Sequence, residues 1–252
     1  MGKAIGRIEI FPNPPALAHH VAEWITQAAL AAAGPFRISL SGGSTPKALY
    51  GLLASDEFST RFPWPRVSWY WGDERFVPYD HPDSNYRMTR EAMLAKAPVP
   101  SENIHPIPTD GTPEDAAQRY ERTLQESYGA DTLDPQRPLF DVTLLGLGTD
   151  GHTASLLPGD PVLEERKRWA AAVSHGRPEV RITMTYPVIE SSRRVAFLVA
   201  GEEKAEIFNA IRTGNSHVPA ARVRPVGELF WFVDQAAAGG EKVRHHTAAR
   251  TR

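Results

Sequence analysis

Short apolar runs rich in β-branched and aromatic residues recur along this chain, and each leads through a glycine or polar turn into residues at helical spacing. Residues Phe36–Leu40, Val67–Trp71, 140–145, Arg194–Val199 and 229–233 read as strands buried on both faces. Between them, residues 15–33 put Leu17, Val21, Trp24, Ile25 and Ala28 on one helical face. Residues 203–213 repeat Ile207, Ala210 and Ile211 ahead of Gly214, a residue suited to the left-handed position past a helix end. Thr112-Pro-Glu-Asp115 opens a third helix, with proline at its first position and acid in its first turn. Strands alternating with helices predict βαβ units, hence an α/β fold with a mainly parallel sheet.

The chain has 252 residues, 41% of them hydrophobic, which is enough for one large α/β domain. No internal repeat is visible, and the proline-rich stretches at 97–100 and 134–138 are too short for linkers, so residues 1–235 are expected to form a single domain. Residues 236–252 are small, polar and basic without periodicity and read as a disordered tail. A net charge of −2 supplies no basic field, so nucleic acid is not an expected partner. The absence of cysteine excludes disulfides, thiolate nucleophiles and thiolate-bound zinc. Without a signal-like start or an apolar run approaching about 18 residues, the chain is expected to be cytoplasmic and to have no membrane partner.

Chemistry-bearing residues follow the predicted strands, where the carboxyl ends of an open α/β sheet bind ligands. After the strand ending at Leu40 comes Ser41-Gly42-Gly43-Ser44-Thr45-Pro46. Gly42 and Gly43 allow backbone N–H groups to turn toward a ligand, Ser44 or Thr45 is placed to cap the next helix, and Pro46 to stand at its first position. Such a helix start with two hydroxyls suits an anion, best a phosphate monoester. It is neither a Walker loop nor a GxGxxG turn. Trp71-Gly-Asp73-Glu74-Arg75 ends the next strand and Ser84 caps the helix after it.

Residues 140–145 run straight into Gly146-Leu-Gly-Thr-Asp150-Gly-His152-Thr-Ala-Ser155, which sets a carboxylate and an imidazole two positions apart on a glycine-bracketed turn. Asp150 either supports His152 or caps a helix over 153–157, while His152 is the histidine of this chain placed for catalysis. No His-x-x-x-His or His-Glu pairing points to a metal. Arg181, at the start of the alternating stretch 181–185, and Lys204, after the strand ending at Val199, are cations that could neutralise a phosphate.

In this order, the motifs at 41–46, 71–75 with Ser84-Asn85, 146–159, 181–185 and 201–204 resemble the glucosamine-6-phosphate isomerase and 6-phosphogluconolactonase family, over roughly residues 10–233. The resemblance implies a Rossmann-like three-layer sandwich. Within the family, the isomerase and deaminase branch follows its histidine with an Asn-Glu pair, where this chain has Ser155-Leu-Leu-Pro158-Gly159 and no carboxylate before Asp160. That departure and the Trp-Gly-Asp-Glu-Arg form of the second motif favour the lactonase branch. The implied substrate is 6-phospho-D-glucono-1,5-lactone and no cofactor is implied. His152 would be the general base, Asp150 its support, and Arg75 a ligand of the carbonyl or of the phosphate. The phosphate would rest on Gly42, Gly43, Ser44, Thr45, Arg181 and Lys204, with Asp73 lining the site. The rival readings are an isomerase or deaminase and a non-catalytic sugar-phosphate sensor.

Overall fold

The computed structural model describes residues 6–174 and 178–239. The chain enters through β1 (Arg7–Phe11), α1 (Pro14–Ala31), β2 (Phe36–Leu40), α2 (Ser44–Leu53) and α3 (Asp56–Ser59). It continues through β3 (Val67–Trp71), β4 (Asp73–Arg75), α4 (Asn85–Thr89), β5 (Ile104–His105), α5 (Pro113–Tyr128) and β6 (Val142–Gly146). The last part comprises β7 (Ala170–Val173), β8 (Arg181–Met184), α6 (Tyr186–Glu190), β9 (Arg194–Val199), α7 (Ala205–Arg212), α8 (Pro219–Arg222) and β10 (Glu228–Asp234).

Seven strands form one all-parallel sheet in the order β1-β10-β9-β6-β2-β3-β5. Starting at β2, the chain first builds outward through β3 and β5, then crosses back so that β6 pairs on the other side of β2 and β9 and β10 extend that half. The order of connection therefore reverses between β2 and β6, and the crevice beyond their carboxyl ends is the switch point where such sheets hold ligands.

Local chemistry explains the elements that flank it. Asn13 accepts a hydrogen bond from the Ala16 amide at 2.9 Å and starts α1, whose Leu17, Val21 and Ile25 are buried. Thr112 accepts from the Asp115 amide at 3.2 Å, and α5 stops at Gly129 with φ 79°. In the sheet, Phe197 of β9 stacks on Trp231 of β10 with centroids 4.0 Å apart. Such a pair contributes about 0.5–1.5 kcal/mol beyond burial.

The strands that sequence periodicity left out are β1, β4, β5 and β7. β1 is a half-exposed edge strand and β5 has only two residues, so neither carries a buried apolar run. Asp73–Arg75, placed from sequence at the end of the preceding strand, forms a separate strand β4 in a small antiparallel sheet of order β4-β8-β7. Gly72 joins the two sheets: its amide donates to Leu40 O at 2.9 Å, and its carbonyl accepts from the Met184 amide at 2.8 Å.

Two expectations are corrected. No helix spans 153–157: Thr153 and Leu156 pair across a tight turn in which Ala154 has φ 48°, and Pro158 disfavours a helical conformation at Leu157. The first residues assigned to the tail are packed: Ala237 is buried and its amide donates to Asp234 Oδ1 at 2.8 Å. Residues 240–252, which hold the rest of that tail with His245 and His246, lie outside the described residues, as does His175. Among the described residues no helix is long and apolar enough to cross a membrane.

Candidate active site

The segments that follow β2, β3, β6 and β9 meet at the carboxyl edge of the parallel sheet, and β8 closes the space between them. They enclose an open cleft of about 220 Å³ whose lining includes Gly42, Gly43, Asp73, Arg75, His152, Arg181 and Lys204.

The turn after β2 contributes backbone. Gly43, with φ 108°, precedes α2 as its cap residue and no side chain caps that helix. A conformation that only glycine adopts readily puts the change of direction at Gly43, so Ser44 and Thr45 are already helical rather than caps, and Pro46 follows them. Their surfaces face an adjoining apolar groove with Pro14, Pro15, Ala18 and Leu52, not the cleft. What this turn can offer an anion is therefore the amide groups of the first helical turn, which have no intrahelical acceptor.

The strand β4 sorts its residues by the two-residue period of a strand. Asp73 and Arg75 line the cleft, whereas Glu74 between them is buried on the other side. Glu74 Oε1 accepts from the amides of Arg75 (2.8 Å) and Asn85 (2.7 Å), and Oε2 from the Tyr86 amide (2.8 Å) and Ser84 Oγ (3.1 Å). Burial pushes its carboxyl up to about 7, against the pull of the backbone hydrogen bonds. Asp73 Oδ2 accepts from Ser155 Oγ at 2.6 Å.

Cationic groups converge from two further elements. Arg75 stands opposite Arg181 in the antiparallel register of β4 and β8. Arg75 Nη1 donates to Asp83 O at 2.6 Å, and its buried Nε has no hydrogen-bond partner among the described residues. Arg181 donates through Nε (3.0 Å) and Nη2 (2.5 Å) to Glu179 Oε1. Lys204 enters from the turn after β9.

The turn after β6 carries the titratable pair. Gly148 N–H donates to His152 O and Gly151 N–H to Gly148 O, both at 2.9 Å, which folds the segment back on itself. Asp150 Oδ1 then accepts from the His152 amide at 3.0 Å and lies 2.5 Å from its Nδ1. A Cβ on Gly148 would stand 2.0 Å from His152 Nδ1 and 2.7 Å from Asp150 Oδ1, so the pair occupies the space glycine leaves. From behind, the Ala220 amide donates to Gly151 O at 3.0 Å. Engagement of Nδ1 by a carboxylate orients the ring and leaves Nε2 for the cleft.

Of the residues anticipated from sequence, the structure thus gathers Gly42, Gly43, Asp73, Arg75, His152, Arg181 and Lys204 around one cleft, places Asp150 against His152, and leaves the Ser44 and Thr45 side chains outside. His19 and His20 pair with Glu57 and Glu9 away from the cleft, and His105 stacks on Tyr70 at 4.6 Å, where burial lowers its pKa. Sequence reasoning did not assign Asn85 and Ser155 to the site. Both are buried by contacts with β4, which periodicity could not reveal because three charged residues give no strand pattern. A larger cavity of about 690 Å³ is lined by Glu114, Asp160, Glu164 and Glu165 with Arg168, a setting that repels anions.

Residues 12–231 match the family model of glucosamine-6-phosphate isomerases/6-phosphogluconolactonase. A 6-phosphogluconolactonase of Synechocystis is 44% identical over 221 residues, covering 86% of this chain and 88% of that protein. The rat 6-phosphogluconolactonase is 38% identical over 248 residues, covering 93% of each chain. The crystal structure of the Thermotoga maritima 6-phosphogluconolactonase superposes with a TM-score of 0.77 at 29% identity, covering 90% of this chain and 99% of that one.

Proposed function

The chain belongs to the glucosamine-6-phosphate isomerase/6-phosphogluconolactonase family, and from that premise we infer that it hydrolyses 6-phospho-D-glucono-1,5-lactone to 6-phospho-D-gluconate. The observation that carries this reading is the His152–Asp150 pair in the same cleft as Arg75, Arg181 and Lys204: a base for water beside cations for a phosphate.

The substrate has a doubly charged phosphate at one end and an activated ester at the other. Arg181, Lys204 and the amides of the Gly42-Gly43 turn hold the phosphate. With Nδ1 engaged by Asp150, Nε2 of His152 takes a proton from a water whose oxygen attacks C1 of the lactone. Arg75 stabilises the oxyanion that forms on the carbonyl oxygen. When the bond from C1 to the ring oxygen breaks, the imidazolium returns its proton to that oxygen, so the net change is addition of one water and ionisation of the new acid. Because such a lactone also opens unaided, positioned acid–base catalysis worth about 10²–10⁴-fold is sufficient, and the scheme uses neither a metal nor a covalent intermediate. The cysteine-free composition suits a reducing cytoplasm, where we place the reaction.

The test is the disappearance of freshly generated 6-phosphogluconolactone, made by a dehydrogenase from glucose 6-phosphate, with and without the protein and after chelation. Acceleration that survives the chelator is the expected result. Folded protein that leaves the spontaneous rate unchanged would overturn the reading, and glucosamine 6-phosphate would then be the substrate to try.

A further inference from the structure

The cleft has two chemically different sides. Arg75, Arg181 and Lys204 offer only donors, whereas Asp73 and Asn85 meet at the opposite strand end and present oxygen. Asn85 is only 5% exposed, yet it lines the cleft. Its amide orientation follows from its partners. Nδ2 donates to the backbone carbonyl of Asp73 at 3.0 Å, and a carbonyl can only accept, so the nitrogen must sit there and Oδ1 on the other side. Oδ1 lies over Gly42, 2.2 Å from where a Cβ would stand on that residue, and among the described residues it has no hydrogen-bond donor. The Asn85 backbone is pinned as well, because its amide donates to Glu74 Oε1 at 2.7 Å and Ser84 caps the helix it begins through the Arg87 amide at 3.1 Å.

A fixed acceptor on the cleft wall to which no described protein group donates is left for water or a ligand to complete. Given the substrate class proposed above, on which this step rests, the choice of ligand atom is narrow. At neutral pH the phosphate is mostly an acceptor, and so are the lactone carbonyl and ring oxygen. The hydroxyl groups of the sugar ring are the donors that remain. The geometry points to Asn85 as a specificity-determining residue: its Oδ1 accepts a hydrogen bond from one ring hydroxyl of the phosphorylated lactone. The neighbouring Asp73 carboxylate keeps the phosphate away from this side of the cleft, so the hydroxyl-bearing face of the ring lies against β4 and the phosphate against the cations.

The experiment compares wild type, Asn85→Ala and Asn85→Ser on the parent lactone and on its 2-deoxy, 3-deoxy and 4-deoxy analogues, with thermal unfolding as a check on folding. A site built to bind a hydroxyl discriminates strongly against the analogue that lacks it. Wild type should prefer the parent over one analogue by at least about tenfold in kcat/KM; both variants should lose that preference while their discrimination between the parent and the other two analogues stays as in wild type. An equal loss on all four substrates would reduce Asn85 to a structural part of the α4 start, and no loss on the parent would remove it from the site; either result overturns the inference. Because wild-type turnover of the parent is measured in the same series, failure of the lactonase reading itself appears separately, as the absence of that turnover.

Discussion

The turns after β2 and β6 lie side by side across the switch point, and both are rich in glycine, yet the glycines serve opposite ends. After β2, Gly43 adopts φ 108° and lines the cleft with Gly42, while Ser44 and Thr45 after it line an adjoining groove. After β6, Gly148 has no positive φ; it is small because His152 and Asp150 fill the space where its side chain would be. One turn is built to present amides, the other to pack a side-chain pair. A glycine count alone cannot tell a backbone site from a side-chain site.

The contrast yields graded predictions. The largest effect is expected at the imidazole: His152→Ala should lower kcat for lactone hydrolysis by about 10²–10⁴-fold while an unreactive phosphorylated analogue still binds, as measured by calorimetry. Near-normal turnover would remove His152 as the base. Next, the two glycines should separate by kinetic signature. Gly148→Ala displaces the His152 ring and should reduce kcat by about 10²-fold with little change in KM. Gly43→Ala forces a positive φ costing roughly 1–3 kcal/mol, so it should lower the melting temperature and raise KM. If both variants changed the same kinetic constant, the two turns would not differ in the way described.

A comparable but smaller loss is expected for Asp150→Asn. Removing a charged hydrogen-bond partner costs about 1.5–3 kcal/mol, or roughly 10- to 100-fold in kcat, with KM little altered. The effect should be weaker still for Lys204→Ala, about fivefold in KM and shrinking as salt is added, since a partly solvated charge is screened.

The smallest signal concerns the support beneath the cleft. Glu74 has a folded pKa near 7, above its ordinary 4.5, because of burial. The folded state therefore keeps a proton that the unfolded chain releases, and the contribution is fully present below about pH 4.5 and lost as pH rises through 7. Urea midpoints measured from pH 4 to 8 should fall more steeply for wild type than for Glu74→Gln. Parallel curves would mean that the carboxyl stays ionised throughout.

Several of these parts were legible in the linear chain. The runs at Phe36–Leu40, Val67–Trp71 and Arg194–Val199 are the strands β2, β3 and β9 with the same bounds, because interior strands of a parallel sheet are short, mostly apolar runs rich in β-branched and aromatic residues. The Asp-Gly-His turn was legible as a place for chemistry for a related reason: polar residues bracketed by glycine immediately after such a strand sit at the sheet's carboxyl edge. Asn85 was not, since its place in the cleft depends on a hydrogen bond to residue 73 and on contact with residue 42, neither of which leaves a periodic trace.

Local sequence thus determined which segments become buried strands, which turns follow them, and which residue types stand at the strand ends, since propensity, periodicity and capping act over a few neighbouring residues. Tertiary structure alone decided that β6 returns to the far side of β2, that Arg75 stands opposite Arg181, that Ser155 reaches Asp73 and that Ser44 and Thr45 line an adjoining groove and not the cleft. Those outcomes depend on strand order, register and the close approach of segments distant in sequence, which are set by packing the whole core at once and not by any stretch of it.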